Sequence, residues 1–350
     1  MSDDTRGEKR LLGILDGFIE SKVLLTAFQL DLFTAAREPI ARADLIARLR
    51  LPERSGAILL DACLALDLLE ERDGGLRTPA ALAPFLLKGE DQPFRATTYL
   101  IDYYAEVYKA LVDMRELVMT DGASSTFKLR DYFKDDVAEV DPTVAAEYSR
   151  YMDATIASIV EVVLESFSFA DRRHLLDLCG GTGAFCTAVA RVHPHLRAGF
   201  IDVPACVAIG CQRLAADPEL AARVTAIAGD VFTAPLPRDA DVITLCRAAM
   251  DWADDRILGL YRRVYEALPP GGCFLVVERM LPERFAPEAK PIYLRGVYFL
   301  AKSTSTRLRT PAQHVALLEA AGFPEAELVV PPRDPHQYLR GFRVMIARKR

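Results

Sequence analysis

The residues with the clearest chemical potential lie in one short segment, residues 175–186, which reads LLDLCGGTGAFC. Its first residues are apolar and predict a short buried strand, which Asp177 interrupts near the end. Three glycines then form a turn, Gly180, Gly181 and Gly183, and the residues after them predict a helix. Glycines let backbone N–H groups approach a ligand closely. The order of strand, glycine turn and helix is therefore typical of a nucleotide-binding site.

Two further acidic residues lie at the ends of predicted strands, where they could bind a nucleoside. About twenty residues after the glycine turn, a second predicted strand ends in Asp202, whose carboxylate can accept both hydroxyls of an adenosine ribose. A third predicted strand ends in the sequence IAGDVF, which offers Asp230 to the edge and Phe232 to the face of an adenine ring. These residues leave two ligands open, a dinucleotide and S-adenosylmethionine.

The position of the glycine motif separates these two ligands. Further strands are predicted over residues 241–250 and 271–278, so strands and helices alternate as a parallel sheet covered on both faces requires. The last two predicted strands, over residues 327–330 and 343–347, form an antiparallel edge pair. A dinucleotide enzyme usually carries its glycine motif at the start of a two-part domain, whereas here it lies mid-chain. The pattern therefore favours S-adenosylmethionine.

The composition excludes several other classes of protein. The net charge of −6 provides no basic field for nucleic acid or an anionic membrane, and no apolar run reaches the roughly 18 residues of a membrane helix. The N-terminus lacks the apolar core of a signal peptide. The seven cysteines are scattered without a C-x-x-C pair, which argues against a zinc or disulfide framework. We therefore expect a cytoplasmic protein without a metal or a nucleic-acid partner.

The N-terminal part predicts a different kind of domain. The pattern predicts, in order, helices over residues 9–36, 42–49 and 54–69 and a small hairpin over residues 69–78. The hairpin is expected to turn on Gly74 and Gly75, which completes the outline of a winged helix. The third helix is apolar nearly all round and carries Asp61 and Asp67 where a DNA reader would carry basic residues. Dimerisation is therefore favoured over DNA binding.

Two predicted helices connect the halves of the chain. One spans residues 93–118 and is crowded with tyrosines, including Tyr104 and Tyr108, and the other spans residues 142–168. We place the domain boundary near residues 105–110 and expect both helices to line the cleft between the domains. The resulting domains are a dimerisation domain over residues 1–107 and a cofactor-binding domain over residues 108–350.

Several ordered motifs resemble those of the plant-type small-molecule O-methyltransferase family, in a bacterial branch. The motifs are TAFQLDLF, ILLDACLALDLLEE, LLDLCGGTGAF, FIDVP, IAGDVF, DWADD, PPGGCFLVVERMLP and LRTPAQHVALLEAAGF. The resemblance covers nearly the whole chain. It implies an α/β fold, with a Rossmann-like class I methyltransferase domain built on a mostly parallel seven-stranded sheet and preceded by a helical, winged-helix-like dimerisation domain. It also implies a homodimer, S-adenosylmethionine as the cofactor and a small-molecule acceptor.

The resemblance assigns cofactor contacts residue by residue. The three glycines should pack against the methionine part, and Asp202 should hold the ribose with Val203 beside the adenine. Asp230 should face the adenine amino group, and Val231 and Phe232 should contact the ring. The full set expected to contact the cofactor is Asp177, Gly180, Gly181, Gly183, Asp202, Val203, Asp230, Val231, Phe232, Cys246 and Arg247.

The chain departs from the family in the apparatus that removes a proton. O-methylating members usually have a histidine base just before an Asp-Trp pair, oriented by two glutamates. Here Met250 occupies the histidine position and Leu308 one glutamate position, whereas Glu278 matches the other glutamate. Methionine accepts no proton, and a positioned base contributes roughly 10²–10⁴-fold. His314 is an alternative base, or else a structural residue of the last predicted helix.

Acceptors that need no base fit these residues better. A thioether sulfur attacks as a neutral lone pair, and an electron-rich carbon loses its proton after attack, so positioning supplies most of the acceleration. Arg247 is expected to pair with a substrate carboxylate or with Asp251. Tyrosines suit a cationic product, and Arg295 is a second candidate for an anion. The acceptor set is Tyr104, Tyr108, Tyr148, Tyr151, Met152, Trp252 and Arg295, and the catalytic set is Arg247, Met250, Glu278 and Tyr151.

The sequence leaves the acceptor atom open. Sulfur is slightly favoured, as in the S-methylation of methylthio-hydroxybutyrate for dimethylsulfoniopropionate synthesis, because a carboxylated thioether would use an arginine and tyrosines and no base. Two alternatives are a bacteriochlorophyll-type C-methyltransferase and an O-methyltransferase of a phenolic or pigment-type secondary metabolite. Two others are a cofactor-binding relative that transfers no methyl group and a winged-helix regulator that senses the cofactor.

Overall fold

The protein folds into two compact units. A computed structural model describes residues 3–89, 95–122, 140–301, 304–330 and 342–350. Contacts divide the chain into Met1–Tyr108 and Lys109–Arg350, and each unit has a hydrophobic core of its own. The expected cleft between the domains and its lining of tyrosines remain predictions. No helix within the described ranges is long and apolar enough to cross a membrane.

The first unit is helical with one small hairpin. Its elements are α1 (Asp3–Gln29), α2 (Leu32–Ala35), α3 (Arg42–Arg48), α4 (Glu53–Ala65), β1 (Glu70–Arg72), β2 (Gly75–Arg77), α5 (Ala83–Leu86) and α6 (Arg95–Ala110), which runs past the boundary. The single long helix predicted at the start is two helices, because Asp31 adopts a left-handed conformation with φ of +57°. The hairpin turns on Asp73 and Gly74, not on Gly74 and Gly75. A Cβ atom on Gly75 would lie 2.7 Å from the backbone nitrogen of Ile40.

The core of the first unit joins α1–α4 to the hairpin. Phe28, Phe33, Leu45 and Leu60 are almost fully buried and lie on successive helices. An antiparallel bridge from Ile40 to Leu76 fastens β2 to the segment between α2 and α3. The predicted order of helix, helix and hairpin is confirmed, since apolar residues at helical spacing do form the buried faces.

The second unit alternates strands and helices. After α7 (Met114–Met119), its elements are α8 (Pro142–Ala154), α9 (Ile156–Ser166), β3 (His174–Leu178), α10 (Ala184–Val192), β4 (Arg197–Asp202), α11 (Pro204–Ala215), α12 (Pro218–Ala221), β5 (Val224–Ala228), β6 (Val242–Cys246), α13 (Asp254–Ala267), β7 (Cys273–Arg279), α14 (Lys290–Leu300), α15 (Pro311–Ala320), β8 (Glu325–Val329) and β9 (Phe342–Arg348). Two 3₁₀ turns, Ala249–Asp251 and Pro287–Ala289, lie between these elements.

The strands form one seven-stranded sheet in the order β5-β4-β3-β6-β7-β9-β8. The first five in this order are parallel, and β9 pairs antiparallel with both β7 and β8, so the predicted antiparallel pair at the edge is confirmed. The chain reverses its direction of winding between β3 and β6. Ligands of open α/β sheets bind at such a switch point, beyond the carboxyl ends of the strands.

The apolar strands are buried on both faces, as a parallel sheet covered by helices requires. In β3, Leu175 belongs to the core cluster on one face, whereas Leu176 and Leu178 belong to the cluster on the other. All three are fully buried. The carboxyl end of β3 is therefore held rigidly where the glycine turn begins.

Three predicted elements in the second half of α6 and beyond are shorter than expected. The helix over residues 142–168 breaks at Thr155 into α8 and α9, and the helix over residues 93–118 is α6 and α7. The fourth strand ends at Cys246, so Met250 lies in the 3₁₀ turn after β6 and not in a strand. The breaks after Ala154 and Cys246 adjoin residues that line the cavity described next.

Candidate active site

A cavity of about 480 Å³ opens in the second unit beyond β3, β4, β5 and β6. This volume falls within the roughly 300–1,000 Å³ of small-molecule sites. The predicted residues that line it are Asp177, Gly180, Gly181, Asp202, Val203, Asp230, Val231, Phe232, Cys246, Arg247, Tyr148, Met152 and Trp252. Gly183, Met250, Glu278, Tyr151, Tyr104, Tyr108 and Arg295 are absent from this lining. The predicted cofactor residues are thus brought together more completely than the predicted acceptor residues.

The glycine turn is shaped by close contacts on both of its sides. A Cβ atom on Gly180 would lie 2.8 Å from Asp177 Oδ2, and one on Gly183 would lie 2.5 Å from the Phe200 ring. Gly181 has φ of +59° and open space at its Cβ position, where a ligand can approach the backbone. Gly183 instead packs on Phe200, precedes α10 as its N-cap and lies outside the cavity lining, so its expected contact with the methionine part stays a prediction.

Asp202 is oriented by the backbone around it. Its Oδ2 accepts from the N–H of Gly181 and its Oδ1 accepts from the N–H of Val203, both at 2.7 Å. Burial raises the pKa of this carboxyl group, and hydrogen bonds from Gly181, Val203 and the Cys206 side chain oppose that rise. The carboxylate is therefore held in a fixed orientation where it lines the cavity.

An aromatic wall follows β5. The N–H of Phe232 donates to Asp230 Oδ1 at 2.9 Å, and the Phe232 ring meets Trp252 edge to face at 5.0 Å. Arg256 lies over the same Phe232 ring at 4.3 Å and lines the cavity. We did not predict Arg256 from the sequence, because its position in the first turn of α13 gives no local signal of a ligand contact.

Asp177 lies below the glycine turn and is almost fully buried. Thr244 on the neighbouring strand β6 donates to its Oδ1 at 2.6 Å. Burial raises the pKa of Asp177 to about 7, although the Thr244 hydrogen bond lowers it. The next lining residue, Cys179, holds a left-handed conformation with φ of +53°. Asp177 therefore supports the base of the turn as a carboxyl group that titrates near neutrality.

Arg247 binds the protein's own backbone. Its Nη1 donates to Thr155 Oγ1 at 2.6 Å and its Nη2 donates to the carbonyl of Met152 at 3.0 Å. The terminal nitrogens therefore hold the break between α8 and α9, and they are not presented as a pair to a substrate carboxylate, as the sequence analysis expected. The Nε atom is buried without a hydrogen-bond partner among the described residues.

Met250 lies in an apolar cluster with Ile292, Phe299 and Leu308. The resemblance expects a histidine base at position 250 and a glutamate at position 308. Both positions instead carry apolar side chains that belong to this one cluster. Glu278, the retained glutamate, is 1% exposed; its Oε1 accepts from the N–H of Ala249 at 3.2 Å and its Oε2 has no partner. Burial raises the pKa of Glu278 to about 8.

Arg309 fixes the turn that carries Met250. Its buried guanidinium donates to the carbonyls of Ala249 at 2.7 Å and Trp252 at 2.6 Å, and its Nε donates to Asp254 Oδ1 at 2.8 Å. Arg309 was not predicted to be a site residue, because its partners lie 55 to 60 residues earlier in the chain and no local pattern indicates such contacts.

His314 and Tyr151 have structural surroundings. His314 lies in the core at 2% exposure, with Nδ1 3.3 Å from the hydroxyl of Tyr261, and burial lowers its pKa to about 4. It is outside the cavity lining, so the structure favours the structural role over the role of a base. Tyr151 is 8% exposed and also lies outside the lining.

Three predicted acceptor residues lie away from the described lining. Tyr104 is partly exposed, and the Tyr108 ring lies under the Lys22 ammonium at 4.7 Å, both in the first unit. Arg295 on α14 lies over the Tyr298 ring at 4.9 Å. Their contact with an acceptor remains a prediction.

The comparisons with known proteins agree with this architecture. Residues 116–324 match the family model of the O-methyltransferase domain, and residues 12–89 match that of the O-methyltransferase dimerisation domain. The chain belongs to the O-methyltransferase family. The predicted family, fold class, enzyme class and cofactor, S-adenosylmethionine, are confirmed.

Relatives of this O-methyltransferase family member span most of its length. It is 30% identical over 325 residues to demethylspheroidene O-methyltransferase of Cereibacter sphaeroides, covering 92% of this chain and 83% of that protein. It is 31% identical over 351 residues to acetylserotonin O-methyltransferase of Mus musculus, covering 97% and 89%.

Solved structures share the fold of this O-methyltransferase family member. PigF with SAH superposes with a TM-score of 0.85 at 23% identity, covering 98% of this chain and 99% of that one. Human N-acetylserotonin methyltransferase in complex with SAM superposes with a TM-score of 0.78 at 24% identity, covering 100% and 99%.

Proposed function

We propose that the protein transfers a methyl group from S-adenosylmethionine to a small molecule at an atom that needs no deprotonation before it attacks. A thioether sulfur is the first choice and an electron-rich carbon the second. The observation that carries this proposal is the apolar cluster around Met250. It fills the position where O-methylating members of the family carry a histidine base.

The cluster supports this proposal because its four buried members carry no group that accepts a proton. Met250 and Leu308 pack with Ile292 and Phe299, and a thioether or hydrocarbon side chain accepts no proton. Glu278 lies behind Met250 with a carboxyl pKa of about 8, so it holds its proton at neutral pH and is a poor base there. A hydroxyl acceptor placed against this surface would lose the roughly 10²–10⁴-fold contribution of a positioned base.

The cofactor fits the polar half of the cavity. We assign the ribose hydroxyls to Asp202, the adenine to Asp230, Val231 and Phe232, and the methionine part to the turn at Gly181. When bound, S-adenosylmethionine supplies a methyl group on a sulfonium centre, which is already a good leaving group. The residues of the chain therefore have to position the acceptor, exclude water and leave the attacking lone pair unprotonated.

Positioning is the contribution that these residues can make. Holding two reactants in line is worth about 7–11 kcal/mol. Arg247 and Arg309 fasten the α8 wall and the 3₁₀ turn on either side of the end of β6. Aromatic rings in the lining, Tyr148 and Trp252, suit a product that becomes a sulfonium cation, at about 0.5–2 kcal/mol for each cation–π contact.

A hydroxyl acceptor is the second candidate, and the names of the relatives favour it. Demethylspheroidene O-methyltransferase and acetylserotonin O-methyltransferase are both named for O-methylation. A hydroxyl acceptor in this protein would need another base, and Asp251 is the carboxylate in the lining that follows Met250 directly. This candidate predicts strong dependence on Asp251, which the first candidate does not.

A labelled-methyl assay tests the two candidates. The purified full chain is given S-adenosylmethionine with an isotopic label on the methyl group, together with thioethers, electron-rich aromatic rings and tetrapyrroles, and phenols and alcohols. We expect labelled product and S-adenosylhomocysteine with the first two groups, in wild type and in Asp251→Asn alike. Labelled product from hydroxyl acceptors alone, lost in Asp251→Asn, would establish the second candidate instead.

We also propose a homodimer formed through the first unit. Helix α1 carries a stripe of large apolar side chains that are each at least half exposed. All of them except Leu11 lie in the region that matches the dimerisation domain. The stripe consists of Leu11, Leu12, Ile14, Leu15, Phe18 and Ile19. A double substitution, Leu15→Glu with Phe18→Glu, should give a monomer in light scattering after size exclusion, whereas Glu20→Gln on the same helix should leave the dimer intact. A monomeric wild type would refute the proposal.

A further inference from the structure

The fully buried thiol of Cys206 contacts both Asp202 and a residue of α8. Cys206 lies in the first turn of α11, the helix that follows β4, and its side chain donates a hydrogen bond to the Asp202 carboxylate. The same Sγ atom lies 3.8 Å from the hydroxyl oxygen of Ser149, which belongs to α8 and lines the cavity. The three side chains therefore form a continuous series of polar contacts from α8 to the end of β4.

The number of available protons fixes the direction of these hydrogen bonds. A thiol has one proton, and an ionised carboxylate only accepts hydrogen bonds. Because the Cys206 proton goes to Asp202, the hydroxyl group of Ser149 is the donor in its contact with Sγ. Hydrogen bonds in such a series polarise one another, so the Ser149 hydroxyl strengthens the donation from the thiol to Asp202.

The surroundings of the thiol are apolar and tightly packed. Cys206 is fully buried and packs with Val140 and Ala145 in a small cluster, and Ser149 is 4% exposed. Exclusion of water strengthens the electrostatic part of a hydrogen bond. Cys206 is absent from the cavity lining. Its effect on a ligand therefore has to pass through Asp202, which does line the cavity.

We infer that Cys206 is a positioning residue for donor binding, whose thiol, supported by Ser149, holds the Asp202 carboxylate in the orientation that accepts the ribose hydroxyls. The N–H groups of Gly181 and Val203 each bond one oxygen of that carboxylate. The thiol adds a side-chain donor from a further element, α11, and thereby restricts rotation of the carboxylate. This inference rests on the proposed placement of the ribose at Asp202.

Helix α8 has a separate attachment, so the thiol can be removed without detaching this helix. Thr182 of the glycine turn donates to Asp153 Oδ1 at 2.8 Å, and Arg213 Nη1 lies 2.7 Å from Asp153 Oδ2. Asp153 belongs to α8 and lines the cavity, whereas Arg213 belongs to α11. We therefore expect substitutions at Cys206 to change the orientation of Asp202 and to leave the cavity wall in place.

Two ligands isolate the ribose contact from the rest of the site. S-adenosylhomocysteine carries both ribose hydroxyls, and its 2′-deoxy analogue lacks one of them. Isothermal titration of the full chain should show that wild type prefers S-adenosylhomocysteine by about 10- to 100-fold, as for a hydrogen bond to a charged group. This ratio of dissociation constants, called the ribose preference below, is insensitive to changes that weaken both ligands equally.

Removing the thiol should reduce the ribose preference. We expect Cys206→Ala to lower it about three- to tenfold, as for the loss of one uncharged donor, and Cys206→Ser, which supplies a hydroxyl donor, to restore most of it. Ser149→Ala should lower it less than Cys206→Ala does. Cys211→Ala, which removes an exposed thiol from the same helix, is the matched control and should leave it unchanged.

A double substitution decides whether the thiol acts through the carboxylate. Cys206→Ala should change the ribose preference in the wild-type background and should not change it in the Asp202→Asn background. If Cys206→Ala does not fold, Cys206→Val fills the same space without a donor and replaces it.

Two results would overturn the inference while leaving the ribose contact intact. One is a ribose preference that stays the same in Cys206→Ala, even if affinity for both ligands falls. The other is a reduced preference that Cys206→Ser fails to restore or that persists in the Asp202→Asn background. A wild type that binds both ligands equally well would instead refute the placement of the ribose at Asp202, and the inference with it.

Discussion

The glycine turn and the turn around Met250 follow the neighbouring strands β3 and β6. The first contains polar side chains held by hydrogen bonds, whereas the second carries apolar side chains. In the first, backbone N–H groups of Gly181 and Val203 orient the carboxylate of Asp202. In the second, Met250 and Leu308 pack in an apolar cluster. The difference supports the proposal that this site holds the donor by polar contacts and faces the acceptor without a base.

The largest effect should come from a substitution at Asp202, which the glycine turn orients. Asp202→Asn replaces a charged acceptor of two backbone donors with an amide that also presents N–H groups to them. We expect the KM for S-adenosylmethionine to rise about 100-fold, because hydrogen bonds to charged groups contribute about 1.5–3 kcal/mol each. Initial-rate kinetics with a fixed acceptor measure this effect.

Asp230→Asn is the matched control for that substitution. Asp230 is exposed, and its Oδ1 accepts a hydrogen bond from the N–H of Phe232, two residues on. Its loss should raise the same KM by about 10-fold or less. If Asp230→Asn were the more damaging of the two, the oriented carboxylate of Asp202 would not be the main anchor of the donor.

Arg309→Met tests how much the turn around Met250 contributes to stability and catalysis. It leaves the carbonyls of Ala249 and Trp252 without their donors, so the free energy of unfolding should fall by about 2–4 kcal/mol. Because Asp251 and Trp252 of this turn line the cavity, we expect kcat to fall about 10-fold while the KM for the donor changes little. Denaturant titration and steady-state kinetics measure the two effects.

The neighbouring arginine provides the control for Arg309. Arg307 is exposed and reaches the same carboxylate, that of Asp254, at 3.6 Å. Arg307→Met should change stability by less than about 1 kcal/mol, as surface pairs usually do, and Arg309→Lys should restore part of the lost activity. A rise in donor KM equal to the fall in kcat would contradict a role confined to the acceptor side.

Glu278 should give stability a pH dependence. Its carboxyl pKa is about 8 in the folded protein against an ordinary value of 4.5, so the folded state binds more protons between these values. The free energy of unfolding should therefore fall as pH rises from about 4.5 to 8. Glu278→Gln should flatten part of this slope in urea titrations from pH 5 to 8, while the slope from Asp177 remains. An unchanged slope would show that Glu278 is ionised in the folded state.

The smallest effect should come from Met250→Leu. Leucine has a similar volume and fits the cluster of Ile292, Phe299 and Leu308, so stability should change by less than about 1.5 kcal/mol and activity by less than about twofold. The product assay and thermal unfolding measure both. A loss of activity beyond tenfold would mean that the thioether of Met250 takes part in the reaction.

Features set by local sequence were predictable. The glycine turn, Asp202 at the end of β4 and the antiparallel last strands all follow from spacing within short segments. Gly183 was predicted to face the cofactor, yet its Cβ position is occupied by the Phe200 ring from the next strand. Contact across strands decides the role of such a residue, and a linear pattern does not contain it.

Side chains that act across elements were not predictable in the same way. Arg247 was predicted to bind a substrate anion. Its terminal nitrogens instead donate to Thr155 and Met152, which precede it by about ninety residues in the chain. Asp153 was not predicted to be a site residue at all, since its partners lie on the glycine turn and α11. The helix break at Thr155 went unpredicted for the same reason, because apolar spacing continues through it.

The central claim, that methyl transfer here proceeds without a base, is tested most directly by the pH dependence of the transfer step. The rate constant of a single turnover should be measured from pH 6 to 9, with donor and a thioether acceptor both saturating. We predict a rate that is flat within about twofold in wild type and in Met250→Leu, since no proton is removed before attack. A rate that rises about tenfold per pH unit and then levels off would show that the transfer step requires a deprotonated group and would contradict the account.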